Sequence, residues 1–384
     1  MRLVSNSHPD TLTHTLSLPL GNFPWLAELH PFTSSVVSSP SFRRRFRAVH
    51  PPPLLGLFFD APGPVQTPNT PAFPTFVPAR RRDRDLTAAV RGGDFFLTSL
   101  EDLPDEGPCW SIVDCCRGCV LLMNWDDATL VVFDPLTRWI EDVFDLGPED
   151  LFDGRRGRVA TTHHYAQVNP RLLFSDEDPT SFRVVLLAQD EFRIRATVFS
   201  SDTWEWLLLP LWTFQRVQRG MQANGFLYWV YEDQRYLVSL DTATMEFCVT
   251  ELPHFLWDSN FHLGEKKDGA TCIVYSDQLN LKWVLDRVVP LDRELERVLR
   301  VGLADDTVLN QLAPDGYVYL YSTYSVDHDP ETPCWFLSLC LETMRPERLF
   351  RRTYDTAVLP YIMAWPPSLV GNYRSFALQD APSH

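Results

Sequence analysis

The chain has 384 residues, 45 % of them hydrophobic and 13 % aromatic, which supplies a sizeable core and excludes wholesale disorder. Its formal net charge of −16 argues against a general nucleic-acid or anionic-membrane binder, because both attract a basic surplus. The 31 prolines point to short punctuated elements, and with no run of ~18 apolar residues no transmembrane helix is predicted. At about 150 residues per domain, the length fits two or three domains, or one repeat-built domain with an appendage.

Residues 8–46 read as helical and distinct from the rest. Leu12, Leu16 and Leu20 stand at i, i+4 and i+8 and form one apolar stripe. Pro9 suits a helix start, and Pro19 with Gly21 ends or kinks that helix. Phe23, Trp25, Leu26 and Leu29 make a second apolar cluster. Ser41 to Val49 predicts a third short helix, with Ser41 as N-cap and Phe42, Phe46 and Val49 on one face. Arg2 is the only Lys or Arg in the first 40 residues, which is wrong for a transit peptide. Residues 51–93 form a Pro-rich junction with one strand, Leu54 to Phe59. The run Arg80-Arg81-Arg82-Asp83-Arg84 reads as a solvated loop, because acids interrupt it.

From residue 94 to 384 the pattern is strands, and it repeats. Cys119 to Trp125 then Thr129 to Phe133, Gly225 to Tyr231 then Tyr236 to Leu240, and Gly316 to Tyr321 then Trp335 to Leu341 each predict a hairpin. The second strand runs into a turn spelled Asp-x-x-Thr, at Asp134 to Thr137 and Asp241 to Thr244, with Ser200 to Thr203 as a serine version. A short side-chain oxygen at the first position accepts a backbone N–H two residues on. Asp292 and Glu342 mark weaker copies. From Asp134 to Ser200 is 66 residues, and the next steps are 41, 51 and 50. A unit of ~40–50 residues with several short strands is a β-propeller blade, so about six or seven blades are expected. The longer first step implies an insertion around Gly147 to Arg158. Trp110, Trp206, Trp229, Trp283 and Trp335 are expected to pack between blades.

A search for catalytic motifs finds no nucleophile elbow, phosphate loop, zinc helix or calcium loop. No catalytic, cofactor-binding or metal-binding residue is therefore assigned, and the chain is read as non-enzymatic. Asp176-Glu177-Asp178 reads as a solvated acidic loop. His163 and His164, with Asp153, make a poor metal site, since adjacent strand residues face opposite ways. Cys116-Arg117-Gly118-Cys119 spells C-x-x-C, but it runs straight into a strand and has no second pair for zinc. It reads as a turn and strand start. Arg91-Gly92-Gly93-Asp94 reads as a turn. Reduced thiols and the lack of an Asn-x-Ser/Thr sequon favour the cytoplasm or nucleus.

The N-terminal pattern resembles a known family. Pro9-Asp10-x-Leu12, Leu16-Ser17-Leu18, Phe23-Pro24-x-Leu26 and Ser39-Pro40-Ser41-Phe42-x-x-x-Phe46 resemble a degenerate F-box. The Ala48-Val49-His50-Pro51-Pro52-Pro53-Leu54-Leu55-Gly56 junction is similar to that of plant, grass-type F-box proteins with an F-box-associated β-propeller. Gly225 to Trp229 with Leu240-Asp241, and Val198 to Trp204, resemble that propeller's blades. His8 stands where the family has Leu, and Pro31 falls where it has a helix. The resemblance implies a fold of a short helical F-box-like segment, residues 1–50, followed by a propeller. It implies the substrate-receptor subunit of an SCF-type cullin–RING ubiquitin-protein ligase. Its partners would be the adaptor subunit, the cullin and an unidentified target protein, with no nucleic acid or membrane. By matching position, Pro9, Leu12, Leu16 and Leu26 would touch the adaptor. The alternatives are a propeller interaction module that has lost adaptor binding, and a propeller lectin or enzyme.

Overall fold

The computed structural model describes residues 53–60, 73–79, 84–100, 110–124, 128–141, 143–146, 167–174, 181–189, 193–213, 217, 220–257, 260–265, 271–277, 280–284, 288–290, 297–298, 307–313, 317–322, 333–340, 343, 345–353 and 358–364. Two strands and a helix come first: β1 (Leu54–Phe59), β2 (Thr75–Pro78) and α1 (Arg84–Gly92). Blade I follows with β3 (Trp110–Cys116), β4 (Cys119–Asn124), β5 (Thr129–Asp134) and β6 (Trp139–Ile140), while β7 (Phe144–Asp145) also pairs with β5. Blade II holds β8 (Gln167–Phe174), β9 (Phe182–Gln189), β10 (Arg193–Ser200) and β11 (Glu205–Leu208), with β12 (Trp212–Thr213) on β10. Blade III holds β13 (Met221–Ala223), β14 (Phe226–Val230), β15 (Tyr236–Asp241) and β16 (Phe247–Glu251). Blade IV holds β17 (Asn260–Glu265), β18 (Thr271–Asp277), β19 (Asn280–Val284) and β20 (Val288–Pro290). Blade V holds β21 (Thr307–Ala313), β22 (Tyr317–Ser322), β23 (Cys334–Cys340) and β24 (Arg345–Arg352), and β25 (Val358–Ile362) follows.

The five blades are antiparallel meanders arranged as a propeller, and the chain is mainly β. The inner strands β3, β8, β13, β17 and β21 are the first of each blade, and β25 lies beside both β21 and β3. β25 also pairs with β1, Phe59 opposite Val358 and Phe58 opposite Leu359, and β2 covers the other edge of β1. The expectation of six or seven blades is therefore corrected. Among the described residues there are five full blades, and the Leu54 strand shares a three-stranded sheet with β25 rather than opening a blade of its own.

Burial follows strand position. Every residue of β4 is buried, because the middle of a blade is covered on both faces by its neighbours. Only Phe247 is buried in the outermost strand β16. Burying a side chain such as Leu121 or Leu122 contributes about 1.5–3 kcal/mol, so the apolar second and third strands supply most of the stabilisation. Trp110 and Trp229 lie in this core as expected. Trp206 is half-buried but packs where expected, on the core shared by blades I and II beside Phe144 and Phe199. Trp335 is half-buried on a strand nearer the rim. The side chain of Trp283 lies outside the described residues.

The closing sheet is fixed to blade I by aromatic rings and one buried hydroxyl. Phe76 stacks on Phe95 at 4.3 Å, and Tyr361 meets Phe58 and Phe95 edge-on at 5.8 and 5.2 Å. The Tyr361 hydroxyl donates to the Gly118 carbonyl at 2.7 Å. Gly118 sits in the two-residue turn between β3 and β4 with φ +81°, and an added Cβ would lie 2.7 Å from the Ala364 backbone nitrogen. Only glycine meets both demands. Asp60 adds a tie by accepting the Ile112 N–H at 3.0 Å.

The basic run is also corrected in part. Arg84 and Asp85 open α1, where Leu86, Ala89 and Val90 fall at i, i+3 and i+4 and pack on the closing-sheet core. Asp94, expected only as part of a turn, is buried after α1 and caps the next helical turn. Its two oxygens accept the N–H and hydroxyl of both Thr98 and Ser99 at 2.7–3.0 Å. No helix among the described residues is long and apolar enough to cross a membrane.

Two outcomes follow. Tyr361→Phe leaves the buried Gly118 carbonyl unpaired and is expected to cost about 1–3 kcal/mol in urea melts; an unchanged midpoint contradicts the clasp. Burial raises the Asp94 pKa, but the four hydrogen bonds outweigh it and hold the carboxyl below its ordinary 3.8. A depressed carboxylate stabilises above its unfolded pKa and loses that contribution as pH falls through the folded one. Asp94→Ala should therefore cost about 1 kcal/mol at neutral pH, with the gap to the native chain closing in melts below about pH 4. A gap that persists to lower pH contradicts the assignment.

Candidate interaction surface and ring centre

The blade turns are built by short side chains. Asp134 Oδ1 accepts the N–H of Leu136 at 2.9 Å and of Thr137 at 3.4 Å, and the Thr137 hydroxyl donates to Oδ2 at 2.7 Å. Burial pushes the Asp134 carboxyl up, against these hydrogen bonds. Asp241 Oδ1 accepts from Ala243 and Thr244 at 2.8 and 3.2 Å. At Ser200 the bend is made by backbone: the Trp204 N–H donates to the Ser200 carbonyl at 2.8 Å, and Thr203 is exposed. Ser201, not Ser200, gives the side-chain oxygen, accepting the Phe182 N–H at 2.9 Å. All three turns end on a left-handed residue, Arg138, Trp204 and Met245 with φ +59°, +58° and +59°. Because strands alternate in direction, the first-to-second and third-to-fourth turns of a blade share one face of the ring. In blade III the two are joined directly, with the Thr242 hydroxyl donating to the Gly225 carbonyl at 2.6 Å. These hydrogen bonds hold the loops.

The inner strands contain a charged centre that sequence reasoning missed. Asp114 sits where a bulge interrupts the pairing of β3 with β4, and is buried. Its carboxylate accepts the Arg171 guanidinium at 3.3 Å and the N–H groups of Leu172 and Cys115 at 2.8 and 3.0 Å. Arg171 then donates to the Gly220 carbonyl at 2.5 Å. One ion pair thus joins blades I and II and the segment leading into blade III. Gly220 has no room for a side chain, since a Cβ would stand 2.6 Å from Trp229 Nε1. Farther along, Gln189 exchanges two hydrogen bonds with the Val217 backbone, at 2.9 and 3.1 Å. The available signal was a lone Asp inside Ser111-Ile112-Val113-Asp114-Cys115, because a charge in a buried strand requires a partner.

Three thiols, of Cys115, Cys119 and Cys334, are made unreactive by burial. Cys116 and Cys119 face each other across the Arg117-Gly118 turn, a hairpin and not a helix start. Burial pushes the Cys119 and Cys115 thiols well up, helped by Asp134 and Asp114 respectively, and pushes Cys334 up to about 12. Such thiols are poor nucleophiles at neutral pH.

The outer strands offer contact surface. Trp204, Leu207 and Leu211 are exposed on blade II, and Tyr236, Val249 and Phe255 on or just after blade III. Trp212 of blade II touches Phe247 of blade III at 5.7 Å, so the two blades abut there. Beneath Trp204, Phe199 stacks on Phe144 at 4.3 Å and packs on Trp206 at 5.3 Å, a stiff aromatic base.

Pro9, Leu12, Leu16 and Leu26 lie outside the described residues, as do Asp153, His163, His164 and the 176–178 cluster. Among the described residues no group of His, Cys, Asp or Glu is placed to hold a metal ion.

No family model matches the chain, and no curated relative matches it in sequence. Solved structures align over much of its length. A nidogen/laminin complex is 11 % identical with a TM-score of 0.39, covering 80 % of this chain and 98 % of its own. A Bacteroides caccae protein of unknown function is 9 % identical with a TM-score of 0.39, covering 80 % and 99 %. The RRP9 WD40 repeats are 12 % identical with a TM-score of 0.34, covering 67 % and 83 %. All three superpose loosely, and the fold is established by this chain's own strand pairing.

Removing one partner of the buried pair strands the other. Asp114→Ala is expected to cost about 3–5 kcal/mol in chemical denaturation. Asp114→Leu with Arg171→Met should cost less than the sum of the single changes, by at least about 1 kcal/mol. It will not reach the native value, because the Leu172 and Cys115 N–H groups lose their acceptor. Additive losses contradict the coupling.

Proposed function

We propose that this chain is a target-holding subunit: the substrate receptor of an SCF-type cullin–RING ubiquitin-protein ligase. Its propeller binds the target protein, and residues 1–50 dock on the adaptor. The observation that carries this reading is the point of entry into the ring. The chain joins the closing sheet at Leu54, directly after the F-box-like segment, through pairing of β1 with β25. A sealed ring gives a rigid platform for a target, and the exposed aromatic and aliphatic side chains of blades II and III are the kind of surface protein partners use. In this role the ligase chemistry resides on other subunits, and the receptor contributes position. The second reading, an interaction module without adaptor binding, draws on His8 and Pro31, which depart from the F-box pattern.

Calorimetry of the purified full chain with purified adaptor separates the two. The ligase reading expects saturable binding with Kd of about 1 µM or tighter, abolished by Leu12→Asp with Leu16→Asp. A folded native chain that shows no heat of binding supports the module without adaptor binding and overturns the receptor role.

A further inference from the structure

The outermost strand of blade V is out of keeping with the rest of the molecule. In a chain of net charge −16, β24 reads Arg345-Pro346-Glu347-Arg348-Leu349-Phe350-Arg351-Arg352, four arginines against one acid. Arg345, Arg348 and Arg351 are exposed and Arg352 is half-buried. None of the four pairs with a carboxylate among the described residues; two rest on aromatic rings and one on a carbonyl. The Arg348 guanidinium lies 4.7 Å over Trp335, and the Arg352 guanidinium 4.5 Å over Phe59. Arg351, opposite Trp335 in the strand register, donates through Nε to the Pro333 carbonyl at 3.1 Å. Arg351 as a whole is exposed, and that bond uses only its Nε. Burial lowers the Arg352 pKa, so this cation is held without full hydration or a counter-charge.

Arginines on an edge strand also keep it from pairing with other sheets, as do Pro346 and the bulge between Phe336 and Leu337. Guarding an edge requires only that the charges be exposed. It does not require that guanidiniums be oriented on rings with their donors left open. Stacking holds a guanidinium plane in place and leaves its N–H fork free for a carboxylate. The occupant is set by charge. A long polyanion would be repelled by the remaining acidic surface, whereas a short acidic segment meets only the local surplus.

We propose that β24, with Trp335 beneath it, is a docking surface for an acidic, Asp/Glu-rich segment of a partner protein. Arg348 and Arg351 supply the bidentate contacts and Arg345 extends the basic row. The proposal rests on the reading that the propeller holds a partner protein, and it is independent of whether residues 1–50 bind the adaptor.

The test is fluorescence anisotropy of a labelled octaglutamate peptide titrated with the full chain. Octalysine and an eight-nucleotide oligothymidylate serve as comparison probes. Octaglutamate should bind saturably and weaken as salt is raised, while octalysine should not bind through this strand. Arg348→Gln with Arg351→Gln should raise Kd about tenfold, and Arg235→Gln, which removes the Arg over Trp257 on blade III, should leave it unchanged. Arg345→Gln with Arg351→Gln alters only exposed side chains and leaves Arg348 on Trp335. It should weaken binding several-fold, so the surface is tested even where loss of Arg348 disturbs the packing of Trp335. No octaglutamate binding, equal binding by native chain and both double variants, or oligothymidylate binding as tightly as octaglutamate would each overturn the proposal. Loss of adaptor binding in calorimetry leaves these titrations unaffected, so the two readings fail separately.

Discussion

Each blade of this ring has two apolar faces, and each face is buried only by the next blade. An open row of such blades would leave its two end faces in water, so the structure depends on its ends meeting. The meeting is made by one short pairing, β1 against β25, in which residues 54–59 lie beside residues 358–362. Phe58, Phe76, Phe95 and Tyr361 fill the seam toward blade I, and Phe59 with Phe336 fills it toward blade V at 5.2 Å. The buried Tyr361 hydroxyl is the polar anchor of an otherwise apolar joint. Ring closure also explains why the Pro-rich junction enters a strand so abruptly. Pro53 lacks an N–H, yet its carbonyl accepts the Met363 N–H at 3.1 Å, which carries the contact one residue past the end of each paired strand.

Closure fixes the ring, and local hydrogen bonds then fix its face. The Asp134 and Asp241 turns, and the Thr242–Gly225 bond, tie loop to loop inside a blade. The Asp114–Arg171–Gly220 chain ties blade to blade at the inner strands. The two devices differ energetically. The turns are partly solvated and each contributes a modest amount, about 1 kcal/mol per hydrogen bond. The buried pair adds little net stability over a well-packed apolar pair, yet breaking it is costly. It ties blade II to blade I in register: a shift of one against the other would separate Arg171 from Asp114 and Gly220.

The hairpins were legible because their alternation and turn chemistry are local. Cys119 to Phe133 and Gly225 to Leu240 fold as the pattern predicts, since a buried middle strand needs apolar residues and a tight turn needs Gly or Asp. Other features depend on distant partners. The Leu54 strand reads as a strand, but its partner is about three hundred residues away and no periodicity announces it. Helix α1 was hidden by its ends: the run to Arg84 read as a solvated loop and Arg91 to Asp94 as a turn, although Leu86, Ala89 and Val90 already held a helical spacing. Trp335 shows the limit of reading size as burial. A ring at the rim is covered on one side only, and an Arg supplied the cover for Trp335. At the candidate surface the composition of β24 was visible in the sequence, while the stacking that orients its arginines was not.

The distribution of charge bears on how such a platform would choose a partner. A surplus of sixteen negative charges over the whole chain sets a repulsive background for acidic proteins at long range. A local basic strand inside that background acts only within about one Debye length, roughly 8 Å at physiological salt. An acidic segment must therefore come close before it is attracted, and it gains only if its own charge is short and concentrated. The exposed apolar residues of blades II and III work differently, since burial of Trp204 or Leu207 is favourable at any ionic strength that keeps the ring folded. Two surfaces of such different range on one closed scaffold would favour a partner that carries both an apolar face and an acidic extension, and would discriminate against partners that carry only one.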